Sequence, residues 1–409
     1  MAEVDIQSLQ HQKLKAIYPY ICSSPFYEKK LPSNIRNSDF DPALRLSNIP
    51  FTTKDDLRFS SPLERTPLNL AEIAAFFSSS GTTGKPSSYV WSKHDQEIYC
   101  EISSRILRNI QVNASDVVLL PMRMGMSFSW YGILSEMQQL GAAVIPLGTA
   151  ATEEIIKGLV DYPVTILKTS PVVASRVIRA IIKDSPNLLN KLKLRQIHLA
   201  GYYSSNAHRK RLEKRWGVDC YDMYGLSELG LVSGDCPAKN GQHYCADYAL
   251  VEVIRPTDFC QASPGETGVA VYTTLWKKAS PLLRYWSDDF IYIDESPCSC
   301  GMQLPRLFHK GRLVDSIVVG QKRVFASDVE QILFQNDAIA DEYRIELFGS
   351  RSNCHIKVQA EVEYPIQTAG MEEKLYDLFE VPVVLDQIPL DSLVREKLKP
   401  NRISDFRTS

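Results

Sequence analysis

Nine consecutive residues, Ser78-Ser79-Ser80-Gly81-Thr82-Thr83-Gly84-Lys85-Pro86, gather hydroxyls and glycines around one lysine. Glycine lets main-chain N–H groups converge on an anion without a Cβ in the way, while hydroxyls and an ammonium add donors, so the stretch suits a polyphosphate. A Walker A loop would need glycine where Ser79 stands and a hydroxyl residue where Pro86 follows the lysine, so this is a phosphate loop of another kind. By composition alone a flexible surface loop is an equal reading, and other motifs must decide. A second stretch, Tyr221 to Gly230, places Tyr224, Gly225, Ser227 and Glu228 within five residues. An aromatic ring can stack on a base, glycine admits close backbone approach, and a carboxylate can hold Mg²⁺ against phosphate oxygens. Taken alone, that segment reads equally well as a strand-to-helix turn.

The elements that must position these residues are set by periodicity. Ile98, Ile102, Ile106 and Ile110 form one stripe of an amphipathic helix directly after the glycine-rich loop. Short apolar runs at 117–120, 142–146, 164–167 and 197–200 then alternate with helical patterns near 153–160, 171–184 and 207–216, which predicts an α/β domain with largely parallel strands. Beyond residue 249 the pattern becomes strand-rich, as in a second subdomain. A boundary is expected at Gly311-Arg312-Leu313-Val314-Asp315, dividing a large domain, 1–311, from a small α+β module, 312–409. In that module Ser327 and Glu330 have capping-box spacing, so a helix is expected to begin at Ser327. Strands are expected over 343–348, 355–363 and 381–385, with a helix over 371–379.

At 409 residues the chain can bury a large core, and a formal net charge of −2 without a long basic run gives no reason to expect nucleic acid or an anionic membrane as partner. The N-terminus lacks the order of a signal peptide and no apolar run could span a bilayer, so a cytoplasmic protein acting on small molecules is expected, and a homodimer is compatible with the sequence. Nine cysteines, an odd number clustered only between Cys236 and Cys300, suit reduced thiols or a metal site better than a disulfide framework. Cys236 and His243, with Cys298 and Cys300, could meet as a Cys₃His tetrahedral zinc site, with Cys245 as an alternative fourth ligand. His198 lies in an apolar strand pattern and reads as a core residue. No G-x-S-x-G elbow supports Ser-His-Asp catalysis.

Thr273-Thr274-Leu275, the run Ala279-Ser280-Pro281-Leu282-Leu283-Arg284-Tyr285-Trp286-Ser287-Asp288-Asp289, and Gly311-Arg312 complete an ordered series with the two stretches above. Together they resemble the adenylate-forming superfamily of acyl-CoA synthetases, adenylation domains and luciferases, and within it the phenylacetate-CoA ligases. The likeness runs from Ser24-Pro25-Phe26-Tyr27 and Ile49-Pro50-Phe51-Thr52-Thr53-Lys54 to Lys399. It implies that Ser78, Ser79, Ser80, Gly81, Thr82, Thr83, Gly84 and Lys85 embrace the β- and γ-phosphates of ATP. Tyr224 and Gly225 would lie beside adenine, Ser227 would contact phosphate and Glu228 would bind Mg²⁺. Asp289 would hold the ribose, reinforced by Arg312, although Asp288 stands where the family has glycine. Asp315 would be the hinge of a mobile C-terminal domain, with Val314 replacing the family's preceding acid. Lys399 would be the catalytic lysine, with Lys397 as the alternative, against the plain reading of a solvated basic tail.

The implied reaction is ATP-dependent activation of a carboxylic acid to an acyl adenylate, with pyrophosphate released, followed by transfer to a thiol, foremost that of coenzyme A. Two anions meet in the first half, so charge must be neutralised by Mg²⁺, Lys399 and main-chain donors. Transfer to a carrier protein or a nitrogen nucleophile is the sister reading; a nucleotide-binding regulatory protein that has lost catalysis is the rival from another class. Some relatives of phenylacetate-CoA ligases also resemble the cysteine arrangement, which would make the zinc structural. By analogy the acyl pocket draws on 122–133 and on Ala200-Gly201-Tyr202-Tyr203-Ser204-Ser205. These side chains suit an aryl or specialised acyl acid. The family's acidic residue is missing from the Gly201-Tyr202-Tyr203 segment, which argues against phenylacetate itself.

Overall fold

The computed structural model describes residues 5–36, 39–79, 85–351, 353–393 and 402–408. Contacts divide the chain into two units. The first comprises Met1–Ala151, Val164–Ile166 and Met223–Phe308, and the second Thr152–Pro163, Leu167–Asp222 and His309–Ser409.

In the first unit an antiparallel hairpin, Ile73–Ser78 with Ser88–Ser92, brackets the phosphate loop and pairs Ser78 with Ser88. Ser92 then caps the helix Lys93–Asn109 through a capping box with Asp95, which fixes the helix start directly after the buried Trp91 and its neighbouring cap. Of the predicted isoleucine stripe, Ile102, Ile106 and Ile110 are buried and Ile98 packs against a core that includes Trp91, Tyr99 and Phe128. Strands Val117–Leu119 and Ala143–Ile145 run parallel, with the helix Phe128–Gln139 between them in sequence. In the strand-rich region Ala249–Ile254, Gly268–Thr274, Tyr285–Asp294, Arg306–Arg312, Gln242–Tyr244, Gly230–Asp235 and Asp219–Leu226 are successive neighbours. The pairings described within this run are antiparallel, so beside the parallel pair the sheet is mixed and the fold is α/β with a strand-rich subdomain, as expected.

In the second unit the helices Thr152–Asp161, Pro171–Asp184 and Asn206–Trp216 and the strand Gln196–Ala200 fall within about two residues of the expected segments. Ser170 and Ser205 cap the latter two helices, and Gly217 ends the last with φ +70°. The C-terminal portion has a four-stranded sheet in the order Val383–Pro389, Cys354–Val362, Ile339–Gly349, Ile403–Asp405, with helices Ala326–Leu333 and Ala369–Phe379 on its core. The capping expectation is corrected here. The helix begins at Ala326, and Asp328 rather than Glu330 accepts the Phe325 amide, at 3.0 Å. Glu330 is buried and accepts instead from the Ser205 amide at 2.8 Å, while the Ser327 hydroxyl donates to the Lys310 carbonyl. Among the described residues no helix is long and apolar enough to cross a membrane.

Candidate active site

The phosphate loop is closed at its base by side chains. The Ser79 amide donates to the Ser87 carbonyl at 2.8 Å, and the Ser87 amide donates to Ser79 Oγ at 3.0 Å. The Ser78 amide donates to the Met126 carbonyl. Ser80, Gly81, Thr82, Thr83 and Gly84 lie outside the described residues. Lys85 is exposed, its ammonium 5.8 Å from the centre of the Phe59 ring.

The Tyr224-to-Gly230 segment is a strand-to-strand turn, not a strand-to-helix one. It joins Asp219–Leu226 to Gly230–Asp235, with the Leu229 amide donating to the Leu226 carbonyl. Two glycines make the tight return achievable. A Cβ on Gly225 would lie 2.6 Å from the Gly230 carbonyl oxygen, and one on Gly230, at φ +80°, would lie 2.4 Å from the Tyr99 ring. The turn presents a half-buried Ser227 and Glu228. The Ser87 hydroxyl donates to Glu228 Oε1 at 3.0 Å and lies 3.1 Å from Ser79 Oγ, so the loop base and the expected metal ligand are brought together. The Glu228 carbonyl accepts from Lys277 Nζ at 2.5 Å. Glu228 lines a cavity with Arg65, Ser87, Tyr89 and Ser280.

Ser87, Lys277 and Arg65 are contributors that motif reading missed. Lys277 is fully buried, with its ammonium 4.2 Å from the centre of the Trp91 ring, and burial pulls its pKa down to about 8. Its segment is pinned by the buried Asp95, which accepts from the Lys278 and Ala279 amides at 2.7 and 2.8 Å. Arg65, with a pKa lowered to about 10 by burial, donates to the Leu57, Ser60 and Ser88 carbonyls. The only local signals were a hydroxyl residue soon after Pro86 and lysines set in an apolar, strand-rich stretch.

Tyr224 and Asp289 also meet. The Tyr224 hydroxyl donates to Asp289 Oδ2 at 2.6 Å and accepts from Tyr272 at 3.3 Å; burial, then the Asp289 charge, raise the Tyr224 pKa well above its ordinary value. Asp289 sits in an irregularity of the pairing between Gly268–Thr274 and Tyr285–Asp294. Asp288, the departure from the family glycine, takes the left-handed conformation itself, with φ +64°. Its carboxylate accepts from Lys54 Nζ and from Trp286 Nε1, each at 2.9 Å, partners that a glycine would not have.

In the second unit Arg312 ends the strand Arg306–Arg312, and Asp315 ends the short 3₁₀ turn Leu313–Asp315 beside an exposed Val314. Lys397 and Lys399 lie outside the described residues. The segment from Arg402 onward is not a solvated tail. Arg402 is buried, donating to Glu342 Oε2 at 2.5 Å and to the Tyr343 and Asp341 carbonyls, and Ile403–Asp405 pairs in parallel with Ile345, Glu346 and Leu347. Of the expected pocket residues, Phe128 is core, stacked on Trp91 at 3.9 Å, whereas Met124 and Met126 are exposed. Tyr202 and Tyr203 are half-buried, the latter 5.1 Å from the His309 ring. His198 is a buried core residue bonded to Gln196, its pKa pushed well down by burial.

The four-residue cluster forms as expected. The ligand atoms of Cys236, His243, Cys298 and Cys300 all lie within 4.8 Å of one another, with Cys236 Sγ to Cys298 Sγ at 3.8 Å and Cys300 Sγ to His243 Nε2 at 3.3 Å. His243 Nδ1 lies 2.8 Å from the Leu304 carbonyl, which orients the ring with Nε2 towards the sulfurs, and burial lowers its pKa. The Met302 amide donates to Cys300 Sγ at 3.4 Å. The alternative ligand Cys245 is excluded: it is buried in the Trp91 core with its thiol 3.8 Å from the Ile102 carbonyl.

The family described as AMP-binding enzyme matches residues 21–261, more than half of the chain. The chain belongs to that family. This AMP-binding enzyme is 28% identical over 380 residues to the phenylacetate-coenzyme A ligase of Thermus thermophilus, a match covering 91% of this chain and 85% of that protein. The phenylacetate-coenzyme A ligase of Escherichia coli is 26% identical over 366 residues, 88% of this chain and 83% of that one. Among solved structures, 2-hydroxyisobutyryl-CoA ligase in the postadenylation state, in complex with 2-HIB-AMP, shares the fold with a TM-score of 0.86 at 19% identity, over 97% of this chain and 89% of that one.

Proposed function

We propose that this AMP-binding enzyme is an acid–thiol ligase that works through an acyl adenylate. An oxygen of the acid's carboxylate forms a bond to the α-phosphorus of ATP as the bond to pyrophosphate breaks. The thiol of coenzyme A then takes the acyl carbon and releases AMP. The observation that carries the reading is the meeting of the loop base, Ser79 and Ser87, with Glu228, in a chain whose Tyr224 and Asp289 also pair. The likeness of nearly the whole chain to phenylacetate-coenzyme A ligases supports it.

Several finer roles belong to the same proposal. Residues 78–85 cradle the β- and γ-phosphates, Tyr224 and Gly225 flank the base, Ser227 contacts phosphate, and Asp289 with Arg312 takes the ribose. Glu228 suits Mg²⁺ because a hard cation needs oxygen donors, and its carboxylate accepts from the Ser87 hydroxyl, which itself lies 3.1 Å from Ser79 Oγ. Bound there, Mg²⁺ would offset phosphate charge. Lys399 supplies the mobile positive charge of the first half, and the 312–409 module turns about Asp315 for the second. Beyond that lysine, Arg402 is anchored by its bond to Glu342. The acid is an aryl or specialised acyl one.

The Cys236, His243, Cys298 and Cys300 cluster holds one structural Zn²⁺. Tetrahedral zinc with bonds of about 2.3 Å to sulfur sets its sulfurs about 3.8 Å apart. The observed separation of 3.8 Å and the oriented His243 fit that demand.

A panel of carboxylic acids assayed for pyrophosphate release, then repeated with coenzyme A, tests the reaction. An aromatic acid is expected to release pyrophosphate and to consume coenzyme A. Orthophosphate in place of pyrophosphate would refute adenylation. Release without coenzyme A consumption would move the acceptor to a carrier protein or nitrogen nucleophile. ATP binding with no release for any acid would favour a regulatory role.

A further inference from the structure

Glu228 is held at both ends. Its carboxylate accepts the Ser87 hydroxyl at 3.0 Å, and its carbonyl accepts the buried Lys277 ammonium at 2.5 Å. Neither partner is itself loose. Ser87 is buried and tied to Ser79 by its amide and its hydroxyl, so the ladder that closes the phosphate loop is the one that orients the carboxylate. Lys277 is walled by the face of Trp91 and the ring of Tyr89, and the residues after it are fixed by Asp95 and by the Val90 amide donating to Ser280 Oγ. A lysine with no exposed surface, in an aromatic box, would be a poor choice for packing alone, because an ammonium is costly to bury. Among the described residues its hydrogen bond goes to the main chain of Glu228.

We propose that Ser87 and Lys277 are positioning residues for acid activation: Ser87 aims the Glu228 carboxylate at the nucleotide-bound cation, and Lys277 fixes the turn that carries it. This rests on Glu228 holding Mg²⁺ and extends that reading to how the ligand is aimed. Because Ser87 touches both Ser79 and Glu228, a loop base in place and a carboxylate in place are one arrangement, so cation and nucleotide reinforce each other's binding.

Mn²⁺ binding to the full-length protein, followed by electron paramagnetic resonance with and without ATP, reads this apart from turnover. Glu228→Gln is the reference and is expected to weaken Mn²⁺ binding in the presence of ATP. Ser87→Ala should weaken it about tenfold, the cost of one hydrogen bond to a charged group, and Ser87→Thr, which restores the hydroxyl, should recover most of it. ATP affinity without metal should change less than about twofold in Ser87→Ala. On a Glu228→Gln background Ser87→Ala should add little. Lys277→Met, which keeps the length and loses the charge, should also weaken Mn²⁺ binding. If Glu228→Gln leaves Mn²⁺ binding unchanged, the metal role of Glu228 itself is wrong. If Glu228→Gln weakens it and Ser87→Ala does not, the positioning role of Ser87 is overturned. A folded Lys277→Met with unchanged Mn²⁺ binding overturns that of Lys277, and if that variant does not fold, Lys277→Gln, which also loses the charge and is too short to keep the bond in place, decides by the same measurement.

Discussion

Around Glu228 a single carboxylate faces the Ser87 hydroxyl of a loop base, whereas around Cys236 four ligand atoms already lie within 4.8 Å of one another. The first arrangement offers hard oxygen atoms and leaves most of a coordination sphere to be filled from outside. The second offers soft sulfur and one neutral imidazole and leaves nothing open. The contrast matches two uses of a cation. One that arrives with the nucleotide needs only to be aimed, and phosphate oxygens complete its shell. One that staples strands must be enclosed by the protein, and its binding energy is then folding energy. The supporting contacts differ accordingly. Glu228 is held by side chains distant in sequence, Ser87 and Lys277, while the cluster is shaped by local turns, such as the Lys239 amide on the Cys236 carbonyl and the Gly301 amide on the Cys298 carbonyl.

The sharpest way to break this contrast is to open the closed site. Cys298 is only half-buried, so Cys298→Ser in a metal-free cluster should cost no more than about 0.5 kcal/mol. With a structural metal the same change should cost about 4 kcal/mol, since it removes the staple. Metal analysis of purified protein should give about one zinc for each chain, and Cys245→Ser should retain that zinc while Cys298→Ser loses it. A folded, metal-free wild-type protein would end the distinction between the two places.

Glu228→Gln tests the other side. It keeps the shape of the side chain and its bond from Ser87 but removes the charge. Pyrophosphate release should fall about 100-fold, equivalent to about 2.7 kcal/mol at the transition state, with zinc content and thermal midpoint unchanged. A fall in thermal midpoint comparable to that of Cys298→Ser would mean that Glu228 is a structural residue and that the two regions are alike.

What could be read in advance divides along the same line. The cluster was legible because its ligands come as close pairs, Cys298 with Cys300 and Cys236 with His243, and soft donors in that spacing have few other uses. Cys245 stayed open as an alternative because spacing alone could not show that the strand Gln242–Tyr244 ends before it and that the chain turns, with the Ala246 amide on the Tyr244 carbonyl. The ordered motifs singled out Tyr224 and Asp289, which pair, and Glu228, which meets the loop base, and helical periodicity placed the Lys93–Asn109 helix after the loop. Ser87 and Lys277 were not legible, because each meets Glu228 across a long stretch of sequence and no local pattern marks the partner. Glu330 was misassigned to a cap for the same reason: a buried tertiary bond to the Ser205 amide outcompeted the local one.

The smallest effect expected concerns Asp288, where the open site carries backbone strain. At φ +64° a residue with a Cβ costs about 1–2 kcal/mol relative to glycine, and aspartate is among the residues that tolerate it best. Here the Lys54 pair, partly exposed and worth about 0.2–1 kcal/mol, and the Trp286 hydrogen bond, worth about 1 kcal/mol, offset that cost. Asp288→Gly removes the strain and both partners together, so thermal unfolding should move by less than about 1 kcal/mol. Asp288→Ala keeps the strain and loses the partners, and should be less stable than Asp288→Gly by about 1 kcal/mol. The order of these two variants is the informative result. If alanine proves as stable as glycine, the left-handed conformation is not what fixes this position. The explanation for Asp288 in place of the family glycine would then lie in the Lys54 and Trp286 contacts.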